Sequence, residues 1–320
     1  MDSTSTPKPQ TVLGIDIGGT SVKMGLVTQR GEIVAQTKVP TGTLEGSDQL
    51  ARVCDAAAQL VRETGGEPET LAGIGLDVPG VVLEDGTLAM APNITLDLDG
   101  LREALAGTFP VARIAVINDA NAAALGETWV GAGAGADSLV MLTLGTGVGG
   151  GVVIGGRVIA GAHGAAGEIG HLCMNFDEPE ACGCGRHGCL EQYASARGLI
   201  RLYREECAAA GAEEIEIAHA TDALAVFEAA RSGNEQAKAA CERLGTILAR
   251  ALAAIAVTVD PDAFVLGGGM CGGWDTFGQT CIDAYRTFVI PGCADTPIRV
   301  ATLGNAAGLL GAARHALAAL

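Results

Sequence analysis

Two stretches of this chain repeat one design. Residues 12 to 27 read as strand, turn and strand around Asp16-Ile17-Gly18-Gly19-Thr20. Residues 139 to 154 do the same around Gly145-Thr146-Gly147-Val148-Gly149-Gly150-Gly151. Each glycine turn leaves main-chain N–H groups uncovered by side chains, a shape suited to an anion, and Lys23 follows close behind the first. One such loop is ambiguous with a bare hairpin turn. Two in equivalent hairpins point to two lobes that would clamp a nucleotide between them.

The remaining segments alternate strands and helices, which favours an α/β sheet. Glu32 to Thr37 extends the first hairpin into a meander. Ser47 is expected to cap a helix with Leu50, Val53, Cys54, Ala57, Leu60 and Val61 on one face. Ala72 to Val78 and Ala112 to Ile117 are expected strands, with a short helix from Leu101 to Ala106 between them and Asn93 in a Pro-Asn turn. The second strand ends in Asn118-Asp119-Ala120-Asn121 before an alanine-rich helix. Asp119 therefore falls where a strand meets a helix N-terminus, the usual place for ligand chemistry in α/β folds, although a helix N-cap is the simpler role. The helix dipole there favours its ionised form by roughly 0.3–1 kcal/mol. Gly131 to Ala136 reads as a linker between lobes. A helix over 234–257 places Leu244, Ile247, Leu248, Ala251, Leu252 and Ile255 on one face. After the Asp260-Pro261-Asp262 turn, the strand Ala263 to Leu266 runs into Gly267-Gly268-Gly269, where a ligand can lie against the backbone. Residues 304 to 319 form a last small-residue helix.

Between these segments, Glu168 to Glu191 holds Cys182, Cys184 and Cys189 at close spacing, with His171 eleven residues upstream of Cys182. Gly183, Gly185 and Gly188 let the backbone turn tightly enough for several sulfurs to face one point. Three thiolates and an imidazole make a closed structural zinc set, and spacing and glycine content favour it over a loop of unpaired thiols.

Composition narrows the ligand. A formal charge of −17 and the lack of Lys/Arg clusters argue against nucleic acid, so a phosphate ester must be held by backbone N–H groups and a metal ion. Aromatic residues are only 3% of the chain, so the core must be aliphatic. The first ten residues, MDSTSTPKPQ, read as a disordered tail with no secretion signal, and no apolar run is long enough for a membrane span. Ten cysteines then imply reduced thiols and metal in a cytoplasmic protein.

DIGGT with Lys23, DVPG, Pro92-Asn93, NDANAAALGE, LGTGVGGG, GEIGH, CGCGRHGCLE, LGGG and GNAAGLLGAA occur in this order. Together they resemble the ROK family (repressors, open reading frames and kinases), and the joint presence of GEIGH and CxCGxxGCxE is highly specific. The resemblance implies two RNase H-like lobes of the actin-like ATPase and hexokinase fold with a cleft between them. The N-terminal lobe would span 11–130, joined by the C-terminal helix at 304–320, and the second lobe 131–303 with its zinc loop at 168–191. It implies phosphorylation of a hexose by ATP and Mg²⁺ with Asp119 as general base. Asn93, Asn118, Glu168, His171 and Glu191 would hold the sugar, with Asp119 beside them. Gly18, Gly19 and Thr20 with Gly145, Thr146 and Gly147 would hold phosphates, Asp16 would lie near Mg²⁺ and Lys23 near the phosphate charge, and Gly267 and Gly268 would lie against the adenosine.

Within the family, glucose is the favoured substrate, ahead of fructose, mannose, allose or an N-acetylhexosamine. The cysteine cluster favours ATP over polyphosphate. Repressor members carry a helix-turn-helix ahead of DIGGT, where this chain has about fifteen polar residues. A non-catalytic sugar sensor is the competing class, and Asp119 with both glycine loops intact favours the kinase. The family pattern prefers His171 to His187 as the fourth zinc ligand and suggests a homodimer. Asp77 departs from it, standing where many relatives have a small or apolar residue.

Overall fold

The computed structural model describes residues 11–91 and 94–320; the expected tail at 1–10 and the sugar position Asn93 lie outside the described residues. The chain divides into two compact units. Among the described residues, one comprises those from 11 to 135, 157–165 and 305–320; the other comprises 136–156 and 166–304.

In the first unit, β1 (Thr11–Ile17), β2 (Ser21–Thr28) and β3 (Ile33–Pro40) form an antiparallel meander. Helix α1 (Ser47–Glu63) leads to β4 (Gly73–Val78), which pairs parallel with β1. A small ribbon of β5 (Val81–Val82) and β6 (Leu88–Met90) precedes α2 (Leu98–Thr108) and β7 (Arg113–Asn118), and α3 (Asp119–Val130) follows at once. The sheet order is β3-β2-β1-β4-β7.

One face of this sheet packs Leu13, Ile15, Ile17, Ile74 and Leu76 against α1 and α2. All six apolar positions foreseen on α1 are buried. Its cap differs from expectation: Gly46 occupies the N-cap without a side-chain bond, and Ser47 is already helical. Helix α2 is longer than the sequence suggested because the Asp97 carboxylate, accepting from Gly100 N at 2.9 Å, starts it earlier.

The second unit opens with the antiparallel hairpin β8 (Leu139–Leu144) and β9 (Val148–Ile154); the two-residue β10 (Arg157–Val158) lies in the stretch counted with the first unit. After the cysteine loop come α4 (Glu191–Ala194), α5 (Ala196–Ala210), α6 (Ala223–Arg231) and α7 (Glu235–Val259). Then β11 (Ala263–Gly267), α8 (Trp274–Phe288) and β12 (Ile298–Val300) complete the unit. Its strands run β9-β8-β11-β12, with β11 parallel to both neighbours. The plan of the first unit thus recurs: a hairpin, then parallel strands reached through helices. The core is mostly aliphatic, with Leu244, Leu248, Ala251, Leu252 and Ile255 of α7 buried and Ile247 only partly so.

The last helix, α9 (Ala307–Ala318), belongs to the first unit and covers the second face of its sheet. Small residues allow the approach. A Cβ on Gly75 would overlap the Ala312 carbonyl, so only glycine lets the helix backbone lie against β4. Among the described residues no helix is long and apolar enough to cross a membrane.

Candidate active site

In the first unit the chemistry gathers at the C-terminal ends of β1, β4 and β7. Asp16 closes on Lys23 across the hairpin, Nζ to Oδ2 at 2.9 Å, so the lysine expected near phosphate charge is here ion-paired with Asp16. The turn is held by Gly18 N–H donating to Ser21 O and by Thr41, whose hydroxyl donates to Gly18 O at 2.6 Å and whose N–H donates to Thr20 O. Around the Cβ direction of Gly19 nothing lies within 4 Å, which keeps that amide approachable.

The corner between β7 and α3 separates two roles that the sequence left together. Asn118 is the N-cap: its Oδ1 accepts from Asn121 N at 3.1 Å, while Nδ2 donates to Gly80 O at 2.7 Å and to Asp119 Oδ1 at 2.9 Å. Asp119 is left as the first helical residue, and it also accepts from Ala120 N at 2.9 Å. It keeps an exposed surface. Even so, desolvation of its carboxyl raises its pKa above the ordinary 3.8, against those two donors and with help from the negative charge of Asp16. A carboxylate so placed is a better proton acceptor than a free aspartate.

Asp77 lies within β4, opposite Asp16 in the parallel register and 2% exposed. Its Oδ1 has no hydrogen-bond partner among the described residues. Burial, then the charges of Asp16 and Asp119, hold its pKa well above the ordinary value, and Lys23 opposes them.

In the second unit the donor atoms of His171, Cys182, Cys184 and Cys189 all lie within 4.8 Å of one another. Cys184 and Cys189 sulfurs are 3.7 Å apart, and Cys182 Sγ is 3.9 Å from His171 Nδ1. A tetrahedron with Zn–S bonds of about 2.3 Å has edges of about 3.8 Å, so the donor set fits zinc in spacing and in chemistry. Gly188, at φ 74, takes a conformation open to glycine and admits the Asn175 carbonyl where a Cβ would stand. His171 presents its other nitrogen, Nε2, 3.9 Å from Glu168 Oε2. The rival His187 uses Nδ1 on the Glu178 carbonyl at 3.0 Å, outside the donor set.

The loop is braced by a group that sequence reasoning missed. Buried Glu178 accepts from the Tyr193 hydroxyl and from Arg201, whose guanidinium also lies 4.7 Å over the Tyr193 ring; Asn175 Nδ2 donates to Tyr193 Oη at 3.1 Å. Glu191 turns inward, its Oε2 accepting from Val148 N at 3.0 Å and its Oε1 3.8 Å from Cys182 Sγ.

A pocket of about 400 Å³ begins at Gly145 and Thr146 and is walled by Ala223, Leu224, Phe227 and Met270. The glycine that lines it is Gly269, with Gly272, and not the expected pair Gly267 and Gly268. Those two pack against β8: a Cβ would meet Met141 at Gly267 and the Leu144 carbonyl at Gly268. The wall from α6 carries no motif that could have announced it.

The model of the ROK family matches residues 12–319, and this chain belongs to that family. A glucokinase of Halalkalibacterium halodurans is 36% identical over 309 residues, 93% of this chain and 92% of that one. Among solved structures, the ROK hexokinase of Thermus thermophilus superimposes with a TM-score of 0.79 at 33% identity, covering 97% of this chain and 98% of the other. A ROK family glucokinase from Streptomyces griseus, solved in complex with glucose and AMPPNP, gives 0.72 at 32% identity over 96% and 99% of the two chains. The fold is the α/β actin-like ATPase and hexokinase fold.

Proposed function

We propose that the chain is a hexokinase of glucokinase type, transferring the γ-phosphoryl group of ATP to a hydroxyl of glucose. The observation that carries this reading is Asp119, a carboxylate of raised pKa at the N-terminus of α3. It accepts the proton of the sugar hydroxyl as that oxygen attacks phosphorus. In a loose transition state the proton leaves late, so the fixed direction of the carboxylate matters more than its strength as a base. Asn118 and Ala120 N–H supply that fixity through their bonds to Oδ1. Mg²⁺, when bound, would be held by Asp16 and would supply charge neutralisation to the phosphates.

Glu168 and the Nε2 of His171 offer an acceptor and a ring nitrogen at a spacing suited to adjacent hydroxyls. Zinc, held by His171 Nδ1 and the three cysteines, would fix that ring and take no part in the transfer. Gly18, Gly19 and Thr20 with Gly145, Thr146 and Gly147 serve as the phosphate loops, and the pocket beyond Thr146 takes the adenosine. The N-terminal lobe at 11–130, with the last helix, carries the base, and the lobe at 131–303 carries zinc and nucleotide. A cytoplasmic homodimer completes the reading.

Coupled-assay turnover with ATP or polyphosphate against glucose, fructose, mannose, allose and N-acetylglucosamine tests it. Fastest turnover is expected for glucose with ATP. A folded, zinc-loaded protein that turns over no sugar removes the kinase reading.

A further inference from the structure

Residues 191–196 touch the Gly145-Thr146-Gly147 loop at both ends. At one end Ala196 N–H donates to Gly145 O at 2.8 Å, and Gly145 N–H closes the turn on Gly147 O at 2.9 Å. At the other, Val148 N–H, the first amide after the turn, donates to Glu191 Oε2 at 3.0 Å. The carboxylate sits so close that a Cβ on Gly147 would overlap Oε2. Glu191 is in turn two residues past Cys189. That short link is stiffened by Gln192, whose N–H donates to Cys189 O and whose Oε1 accepts from Cys189 N at 3.0 Å. Cys182 Sγ lies against the second carboxylate oxygen at 3.8 Å.

We propose that Glu191 is a positioning residue that ties the Gly145-Thr146-Gly147 loop to the cysteine cluster, so that zinc loading tightens the hold of this loop on a nucleotide phosphate. This rests on the reading of the loop as the nucleotide-phosphate loop. Fixing Cys182 and Cys189 on one ion fixes the start of α4, and hence the direction from which the carboxylate grips Val148. Glu191 Oε2 is engaged by Val148 N–H within this unit, a role besides the expected one of holding sugar.

The test is calorimetric titration of Mg-ADP, and separately of glucose, into zinc-loaded wild type, Glu191→Gln and Glu191→Ala, each repeated after chelation of zinc. Glu191→Ala is expected to bind ADP about tenfold more weakly, and Glu191→Gln, which keeps an acceptor for Val148 N–H, within about threefold of wild type. Chelation is expected to cost the wild type about tenfold and to add little in Glu191→Ala, because the link is already cut. Melting curves and zinc content establish that each variant is folded and loaded. Wild-type ADP affinity in Glu191→Ala overturns the proposal. So does an equal cost of chelation in the two proteins, or a loss confined to glucose. No ADP binding by the wild type removes the nucleotide reading itself, a different result from equal binding by wild type and variant.

Discussion

Asp77 faces Asp16 across the parallel pairing of β4 with β1, and one of its carboxyl oxygens is buried without a partner among the described residues. Two carboxyls so arranged cannot both ionise cheaply, and burial together with the neighbouring charges favours the protonated form of Asp77. Its folded pKa lies well above its unfolded value near 3.8, so the native state binds the extra proton. Stability tied to Asp77 is therefore full below about pH 4 and is lost as pH rises toward the folded pKa. Asp77→Asn keeps the volume and removes the titration. Its melting temperature should match wild type near pH 4 and exceed it progressively toward pH 8. Parallel curves for the two proteins across that range would falsify the protonated state.

Asp119→Asn keeps the hydrogen bonds that fix the corner of α3 while removing the base. Glucose affinity should stay within about an order of magnitude, while kcat falls by about two orders or more. In the wild type the acid limb of kcat/KM should titrate above the ordinary aspartate value, since the pKa of Asp119 is raised. Normal turnover in the variant would take Asp119 out of the mechanism.

About one zinc per chain is expected by metal analysis of purified protein. Cys184→Ser removes a donor that lies at the surface, so lost packing is a minor part of its effect. The variant should lose zinc and thermal stability together, because metal binding and the folding of this loop are linked. A zinc-free protein with unchanged melting and activity would show the cluster to be dispensable.

Tyr193→Phe deletes the hydroxyl that serves buried Glu178 and receives Asn175. Leaving a buried carboxylate short of a donor costs about 1–3 kcal/mol, and chemical denaturation should read that loss directly. A cost near zero would mean that Arg201 and the Glu180 N–H satisfy Glu178 without the hydroxyl.

Gly75→Ala probes the seat of α9. The added methyl overlaps the Ala312 carbonyl, which belongs to helix backbone and cannot swing aside. A loss of about 1–3 kcal/mol is expected, in the range of overpacked cores. A neutral substitution would show that α9 shifts freely on the sheet.

What could be read beforehand was local. The two glycine hairpins announce themselves because turn chemistry and strand pattern lie within a few residues, and Cys182, Cys184 and Cys189 because donor spacing is written along the chain. Lys23 could be found but its ion pair with Asp16 could not, since that depends on the register of β1 with β2. The same holds for Asp77. It meets Asp16 only through a parallel pairing between strands sixty residues apart, which no local pattern encodes. Gly267 and Gly268 pack on β8, and the glycine that lines the neighbouring pocket is the next one along, a difference of depth that the glycine run does not reveal. The direction of the Glu191 carboxylate was equally hidden, because it is chosen by an amide from a hairpin far upstream.

Helix α9 also sets an order of events during synthesis. The sheet of the first unit is translated early, yet one of its faces, with Gly14, Gly75 and Asp77 on it, is covered by residues made at the end of the chain. The nascent first unit must wait half-dressed while residues 136–304 emerge and collapse on a core of their own. Until α9 docks, that face is open to water and to other chains. For this architecture the vulnerable interval is the time taken to translate the second unit, and a ribosome stalled before residue 307 leaves that face of the sheet uncovered.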